Sequence, residues 1–219
     1  DPSLFVGELH EYLDAGNDVI KLDGCSILFG GTGARTQDPD KYKKDCKILE
    51  KAVSKDPTNS RNVFYLAQSY KDAGDIDNAI KTYLKRINMG GWQEEVFWSS
   101  LQIASMSESN SDSLTVINNY LATYNAYPSR AEALMHLAFY CKNNSLFEQG
   151  YFYAKTGVKI PKPISGLFID ESTYTWRLQD ELATCAYYIG KVNECLNISK
   201  MLMGNRYVPD SQKTRIAGN

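Results

Sequence analysis

The sequence lacks the residue clusters that most metal and catalytic sites require. Its 219 residues contain two histidines, His10 and His136, and five cysteines. The cysteines form neither a Cys-x-x-Cys pair nor a Cys/His cluster, whereas zinc sites and Ser-His-Asp catalysis need such groups brought together. We therefore expect no zinc site and no catalytic triad. The odd number of cysteines favours free thiols in a reducing, cytoplasmic compartment.

The sequence also lacks a charge excess and a long apolar run. Lysine plus arginine number 24 against 26 aspartates plus glutamates, which gives a formal net charge of -2. This balance offers no basic excess to attract nucleic acid. No apolar run reaches the roughly 18 residues that a transmembrane helix needs. We expect no nucleic-acid partner and no membrane span.

What the sequence does contain is a helical repeat. Residues Arg61 to Met89 predict two helices joined by a turn at Gly74-Asp75, with the small residue Ala79 on the inward face of the second helix. Leu66-Ala67 lies on the packed face of the first helix. These small, large and glycine positions are those of a tetratricopeptide repeat.

The same pattern returns along the chain. It is weaker in residues 92–127 and clearer in residues 130–160 and 176–202, and a half repeat at 40–55 ends at Asp56-Pro57. A repeat of about 34 residues cannot bury its own apolar face, so several must stack. The sequence thus predicts a mostly α fold, a tetratricopeptide-like right-handed α-α superhelix of four or five helix pairs, over residues 38–219.

Residues 1–37 have a different character. Asp23-Gly24 between two apolar runs predicts a β-hairpin over residues 19–29, and the glycine-rich residues 30–35 predict a loop. The chain begins at Asp1 without an initiator Met, so we expect a fragment or a processed product of a longer protein. The predicted organisation is a short closing segment, 1–37, followed by the helical-repeat domain, 38–219.

Several segments resemble the end of a family-2 glycosyltransferase domain of the GT-A type and the tetratricopeptide-like tail that follows it. The resembling segments are 5–13, 19–29, the glycine-rich residues 30–35, 40–45, 49–52, 56–57, 65–70, 89–92, 130–133 and 174–181. The resemblance implies that residues 1–37 close a glycosyltransferase domain and that the parent protein is a transferase. In such enzymes the histidine of the closing His-Glu segment can help to hold the divalent metal. His10 is the residue that inherits this role.

The chain itself lacks the chemistry of glycosyl transfer. A metal-dependent transferase needs carboxylates, usually Asp-x-Asp, to hold the metal on the diphosphate. Asp38-Pro39-Asp40 and Asp75-Ile76-Asp77 have this spelling, but the first is typical of a helix start and the second of a repeat turn. We expect no catalytic residue and no cofactor in this chain, with Mn²⁺ or Mg²⁺ bound in the full-length parent.

The first helices of stacked repeats line a concave side, which is the default surface for a partner. The predicted groove residues are Phe64, Gln68, Lys71, Met135, Phe139, Lys142, Arg177, Asp180, Thr184 and Tyr187. His136 is expected either to pack or to face this groove. The mixture of aromatic, amide and charged groups suits a peptide or a glycan.

Two functions follow from these observations. The first is a non-catalytic repeat module of a glycosyltransferase that binds a protein or glycan acceptor, or that mediates homo-oligomerisation. The alternative is a free-standing tetratricopeptide adaptor that binds a peptide or protein partner.

Overall fold

The computed structural model describes residues 5–6, 9, 12–13 and 37–218. Strands β1 (Phe5–Val6) and β2 (Tyr12–Leu13) pair antiparallel, with Phe5 opposite Leu13. The hairpin predicted over residues 19–29, the glycine-rich loop at 30–35 and His10 lie outside the described residues.

All regular structure between residues 37 and 218 is helical. The helices are α1 (Lys41–Lys55), α2 (Ser60–Asp72), α3 (Ile76–Met89), α4 (Gln93–Ser107), α5 (Ser113–Ala126), α6 (Glu132–Asn143), α7 (Phe147–Gly157), α8 (Leu178–Tyr188), α9 (Val192–Met203) and α10 (Asp210–Ala217). A π-helical turn, Thr173–Arg177, leads into α8. In the described part of the chain, no helix is both long and apolar enough to cross a membrane.

Consecutive helices pack as four hairpins, α2–α3, α4–α5, α6–α7 and α8–α9, with α1 before them and α10 after them. Helix α1 ends at Lys55, immediately before Asp56-Pro57, as the sequence predicts. The polar residues 107–112 predict a break between helices, and Asp112 caps α5 there by accepting a hydrogen bond from the Thr115 amide. The mostly α, tetratricopeptide-like fold class is confirmed.

Three of the four hairpins use the same turn. Gly74, Ser145 and Gly190 adopt positive φ values of 80°, 60° and 80° at the equivalent position. In each turn the next amide donates to a carbonyl five residues earlier, in the bonds Asp75 to Tyr70, Leu146 to Cys141 and Lys191 to Ala186. This is the Schellman ending of a helix, which favours glycine because a left-handed backbone crowds a Cβ. The sequence of the 130–160 repeat predicts this turn at Asn143-Asn144, which is one step early, since Asn143 is still helical and Ser145 turns the chain.

The chain divides into two compact units, residues 1–92 and 93–219. The predicted domain border between residues 37 and 38 stays a prediction. In the first unit, Leu9 packs with Cys46, Leu49 and Leu66 of α1 and α2. Ala79 is fully buried on α3, as the repeat pattern requires.

The second unit holds several connected cores. Between α4, α5 and α6, buried side chains such as Phe97, Tyr120 and Leu137 pack together. Between α6, α7 and α8 the core includes Ala154 and Leu182. Further cores toward the C-terminus join α8 to α9 and α9 to α10; their buried members are Ala183, Ala186, Cys195, Leu202, Val208 and Ile216. Cys195 stands at a small-residue position of the repeat in residues 176–202, which predicts a packing role, and its burial confirms this.

A buried arginine fastens the long connection between α7 and α8. Arg130 donates to Glu132 at 2.8 Å and to Glu94 at 2.5 Å, and its guanidinium lies 4.6 Å from the Phe97 ring. It also donates to the Leu167 carbonyl at 3.3 Å, while the Leu167 amide donates to Glu94 at 2.9 Å. This Arg130 network ties the connection to α4 and to the start of α6.

Candidate partner-binding face

Helices α6 and α8 pack side by side in the second unit, and their shared surface, with the turn that leads into α8, carries half of the predicted groove residues. We call this surface the α6–α8 face and define it by Phe139, Lys142, Arg177, Glu181, Thr184 and Tyr187. Residues three or four apart lie on the same side of a helix. The steps from Arg177 to Glu181, Thr184 and Tyr187 therefore form one stripe.

An ion pair joins the two helices of this face. Lys142 Nζ lies 2.8 Å from Glu181 Oε2, and the Glu181 side chain is only 5% exposed. Burial raises the pKa of Glu181, and the positive charge of Lys142 opposes that rise. Lys142 Nζ also lies 4.6 Å from the centre of the Phe139 ring. Lys142 is thus held between a carboxylate of α8 and an aromatic ring of its own helix.

The other charges beside this face are paired as well. Arg177 donates to Asp170 at 3.1 Å. Burial would raise the pKa of Asp170, but hydrogen bonds from Ser172 and Thr173 and the Arg177 charge outweigh it and hold that pKa below its usual value. The nearly buried Asp180 accepts a hydrogen bond of 2.5 Å from Arg215 of α10. Arg177 and Asp180 therefore each have an oppositely charged neighbour.

Two aromatic side chains of the face remain open to solvent. Phe139 is 37% exposed and Tyr187 is 50% exposed. The Tyr187 ring meets Tyr188 edge-on at 5.5 Å, and Tyr188 stacks on Phe147 of α7 with ring centres 4.0 Å apart. These ring contacts position Tyr187 and leave half of its surface exposed.

The remaining groove residues occupy other surroundings. Met135 is fully buried in the core between α6 and α8, and Phe64 is buried in the first unit, so these two side chains pack helices together. Gln68 lines a small cleft between α1 and α2, and Lys71 Nζ lies 3.6 Å from Asp72. The structure brings together the residues of α6 and α8 and places Phe64, Gln68 and Lys71 in the other unit. Their assignment to one partner groove stays a prediction.

His136 lies on α6, half-buried. Its ring stacks in parallel on Tyr120 with centres 6.1 Å apart. Burial, and to a lesser extent the Arg177 charge, lower the pKa of His136 to about 4, against the opposite effect of Asp170 and Glu132. His136 is therefore neutral at physiological pH.

The described residues contain no group of three or more histidine, cysteine, aspartate or glutamate side chains placed to hold a metal. Asp38 accepts from Lys44 at 2.6 Å, beside the start of α1. Asp75 caps α3 by accepting from the Asn78 amide. The interpretation of both Asp-x-Asp segments as a helix start and a repeat turn is confirmed. The metal role of His10 stays a prediction.

Sequence reasoning missed the two buried ionic contacts that organise the second unit. Glu181, which holds Lys142, and Arg130, which holds the connection after α7, carry no motif of their own. The one available signal is that charged residues at core-facing repeat positions are rarely left without a partner. That signal indicates that such a residue has an ion-pair partner within the protein, but it does not identify which residue that partner is.

The comparisons with known proteins concern the fold. Neither a protein-family model nor a curated protein matches the chain. Among solved structures, the chain is similar to the crystal structure of MamA, with a TM-score of 0.58 and 14% identity over 80% of this chain and 93% of that one. It is also similar to TTC0263, a thermophilic TPR protein in Thermus thermophilus, with a TM-score of 0.53 and 11% identity over 81% and 90%.

A third similar structure is YrrB, described as a TPR protein with an unusual peptide-binding site. Its TM-score is 0.56 at 9% identity, over 82% of this chain and 84% of that one. At such identities these likenesses establish a tetratricopeptide-like fold and no more. None of them indicates a glycosyltransferase part.

Proposed function

We propose that this protein is a helical-repeat adaptor that binds a segment of a partner protein on its α6–α8 face. The observation that carries the proposal is the pair of exposed aromatic side chains, Phe139 and Tyr187, on a face whose charges are already paired. Aromatic side chains held by packed neighbours are the usual energetic centres of protein interfaces. YrrB supports the proposal, because it combines a similar fold with a peptide-binding site.

The glycosyltransferase interpretation is the weaker of the two. It depends on a sequence resemblance whose glycosyltransferase part falls in residues 1–37, most of which lie outside the described residues, and no comparison supports it. Its glycan acceptor, its divalent metal at His10 and a homo-oligomer remain predictions of that resemblance. Localisation in the cytoplasm likewise remains a prediction from cysteine usage.

The test is peptide selection followed by affinity measurement. A random 12-residue phage-displayed library is selected on the purified protein, and enriched peptides are titrated by fluorescence polarisation. Phe139→Ala and Tyr187→Ala should each weaken the dissociation constant about ten-fold, because truncating an interface aromatic usually costs more than about 1 kcal/mol.

The matched control is Phe152→Ala. Phe152 is 65% exposed on α7 and does not belong to the α6–α8 face. Its removal deletes a similar apolar surface elsewhere and should leave the affinity unchanged. Equal affinities in all variants, or the failure to enrich any peptide, would contradict the adaptor proposal. Binding of an arrayed glycan that depends on Phe139 would instead favour the transferase module.

A further inference from the structure

We infer that the α6–α8 face selects an uncharged segment with an aromatic or aliphatic anchor, rather than a segment held by its carboxylates. This inference rests on the proposed function and specifies the chemistry of the partner. It follows from how the charges of the face are used inside the protein.

The basic groups beside this face are committed to acidic ones. Lys142 pairs with Glu181, Arg177 with Asp170, and Arg215 with Asp180. Glu181 and Asp180 are each 4% exposed, so their charges depend on these cations for stabilisation. Removing one partner of a buried ion pair leaves an uncompensated buried charge, which is strongly unfavourable.

The charge of each of these cations is already compensated by a neighbouring carboxylate, so the face offers little net positive charge to a carboxylate of a partner. The new ion pair would form at the surface, where water screens it and its stabilisation is small. Where a partner carboxylate displaced Lys142, the buried Glu181 would lose the cation that stabilises its charge. The exchange is therefore unfavourable, and Lys142 does not serve as an anchor for an acidic segment.

The groups that the face leaves available are uncharged. Phe139, whose ring lies against Lys142, exposes 37% of its surface, and Tyr187 exposes half of its surface. Next to the face, at the C-terminal end of α6, Asn143 is an exposed amide, and an amide can donate to and accept from a peptide backbone. Apolar anchors on the rings and backbone bonds to amides fit a neutral segment.

The experiment uses three phage-displayed pools of 12-residue peptides on the full chain. The first pool contains only uncharged residues, the second adds Asp and Glu, and the third adds Lys and Arg. Peptides from the first pool should be enriched and should lose about ten-fold in affinity with Phe139→Ala. Their dissociation constants should change less than about two-fold between 50 and 500 mM NaCl, since screening acts on charge pairs.

A double variant, Lys142→Met/Glu181→Gln, removes both charges of the central ion pair together. Because neither charge is left alone, the fold is expected to tolerate the change, which circular dichroism checks. Peptides of the first pool should bind this variant within about two-fold of the original affinity.

The outcomes separate the inference from the proposed function. Enrichment of acidic peptides with salt-dependent affinity that the double variant abolishes would overturn the inference and leave the adaptor function standing. Enrichment of basic peptides from the third pool would also overturn the inference and leave the adaptor function standing. If no pool yields a peptide whose affinity depends on Phe139, the proposed function itself fails.

Discussion

His136 illustrates, at the scale of a single residue, how burial sets the chemistry of a side chain. An exposed histidine titrates near pH 6.5. Here the ring is packed against Tyr120, and burial lowers its pKa to about 4. The residue that looks most suited to acid-base or metal chemistry is therefore a neutral packing group.

This shift predicts a pH dependence of stability. Between pH 6.5 and about 4, the unfolded chain binds a proton at His136 and the folded chain does not, so the free energy of unfolding falls as the pH falls through this window. His136→Gln removes this contribution. Urea unfolding at pH 7, 6, 5 and 4.5 should show a shallower decline for the variant than for the original protein.

The comparison of these two proteins isolates the titration of His136. The chain has a single other histidine, His10, which both proteins keep, and their carboxylates are the same. Parallel stability curves for the two proteins would show that His136 titrates alike in the folded and unfolded states.

At the scale of the helix, two helices can approach each other closely where one of them carries a glycine. Gly150 on α7 is buried between α6 and α8. A Cβ at this position would lie 2.8 Å from Cys185 Sγ and 3.3 Å from the Ala138 carbonyl oxygen. Because α7 must approach both helices within this space, glycine is required here for its size.

Gly150→Ala is expected to lower the free energy of unfolding by about 1–3 kcal/mol, the usual effect of overpacking a close contact. The matched change is Gly204→Ala after α9. The nearest atom to a Cβ there is the Met201 carbonyl oxygen at 3.7 Å, and the Gly204 φ of -83° suits any residue. Chemical denaturation compares the two variants, and equal losses of stability would contradict this account of α7 packing.

The connection between α7 and α8 is the element that departs most from a regular repeat. It is fixed by a contact distant in sequence, since Glu94 of α4 binds both Arg130 and the Leu167 amide. Phe168 in the same connection adopts a positive φ of 50° and its ring lies 4.9 Å from that of Trp98. The Arg130 network and this ring contact determine the path of the connection.

At the scale of the whole molecule, the chain consists of two compact units that meet in sequence between Trp92 and Gln93. The cores that join α4 to α10 contain only residues of the second unit. The core around Leu49 and Leu66 contains only residues of the first. In repeat proteins each unit is stabilised mainly by its immediate neighbours.

Residues 93–219 should therefore fold when produced alone. We expect a helical circular dichroism spectrum and a cooperative thermal transition. A shorter chain, 112–219, lacks α4 and so loses Phe97 and Leu101 from the core that covers Val116 and Tyr120. It should melt at a lower temperature or without cooperativity. A disordered 93–219 chain would show that the second unit depends on the first.

The sequence by itself determined the repeat. Small residues such as Ala79, the turn residues Gly74 and Gly190, and the stop at Asp56-Pro57 act through neighbours within one repeat, so their spacing is enough to place helices and turns. The turn at Ser145 was placed one step early because serine rarely takes a left-handed conformation and gives no signal for it.

The exposure of the groove residues, by contrast, depends on how the helices pack. Phe64 and Met135 share the helical periodicity of Phe139 and Tyr187, yet the first two are buried and the others are exposed. The pairing of Lys142 with Glu181 joins helices in different repeats, so no spacing rule identifies it. Burial and ion pairing depend on how helices distant in sequence pack together. On the α6–α8 face, this packing leaves two aromatic side chains exposed and pairs the charged groups with one another.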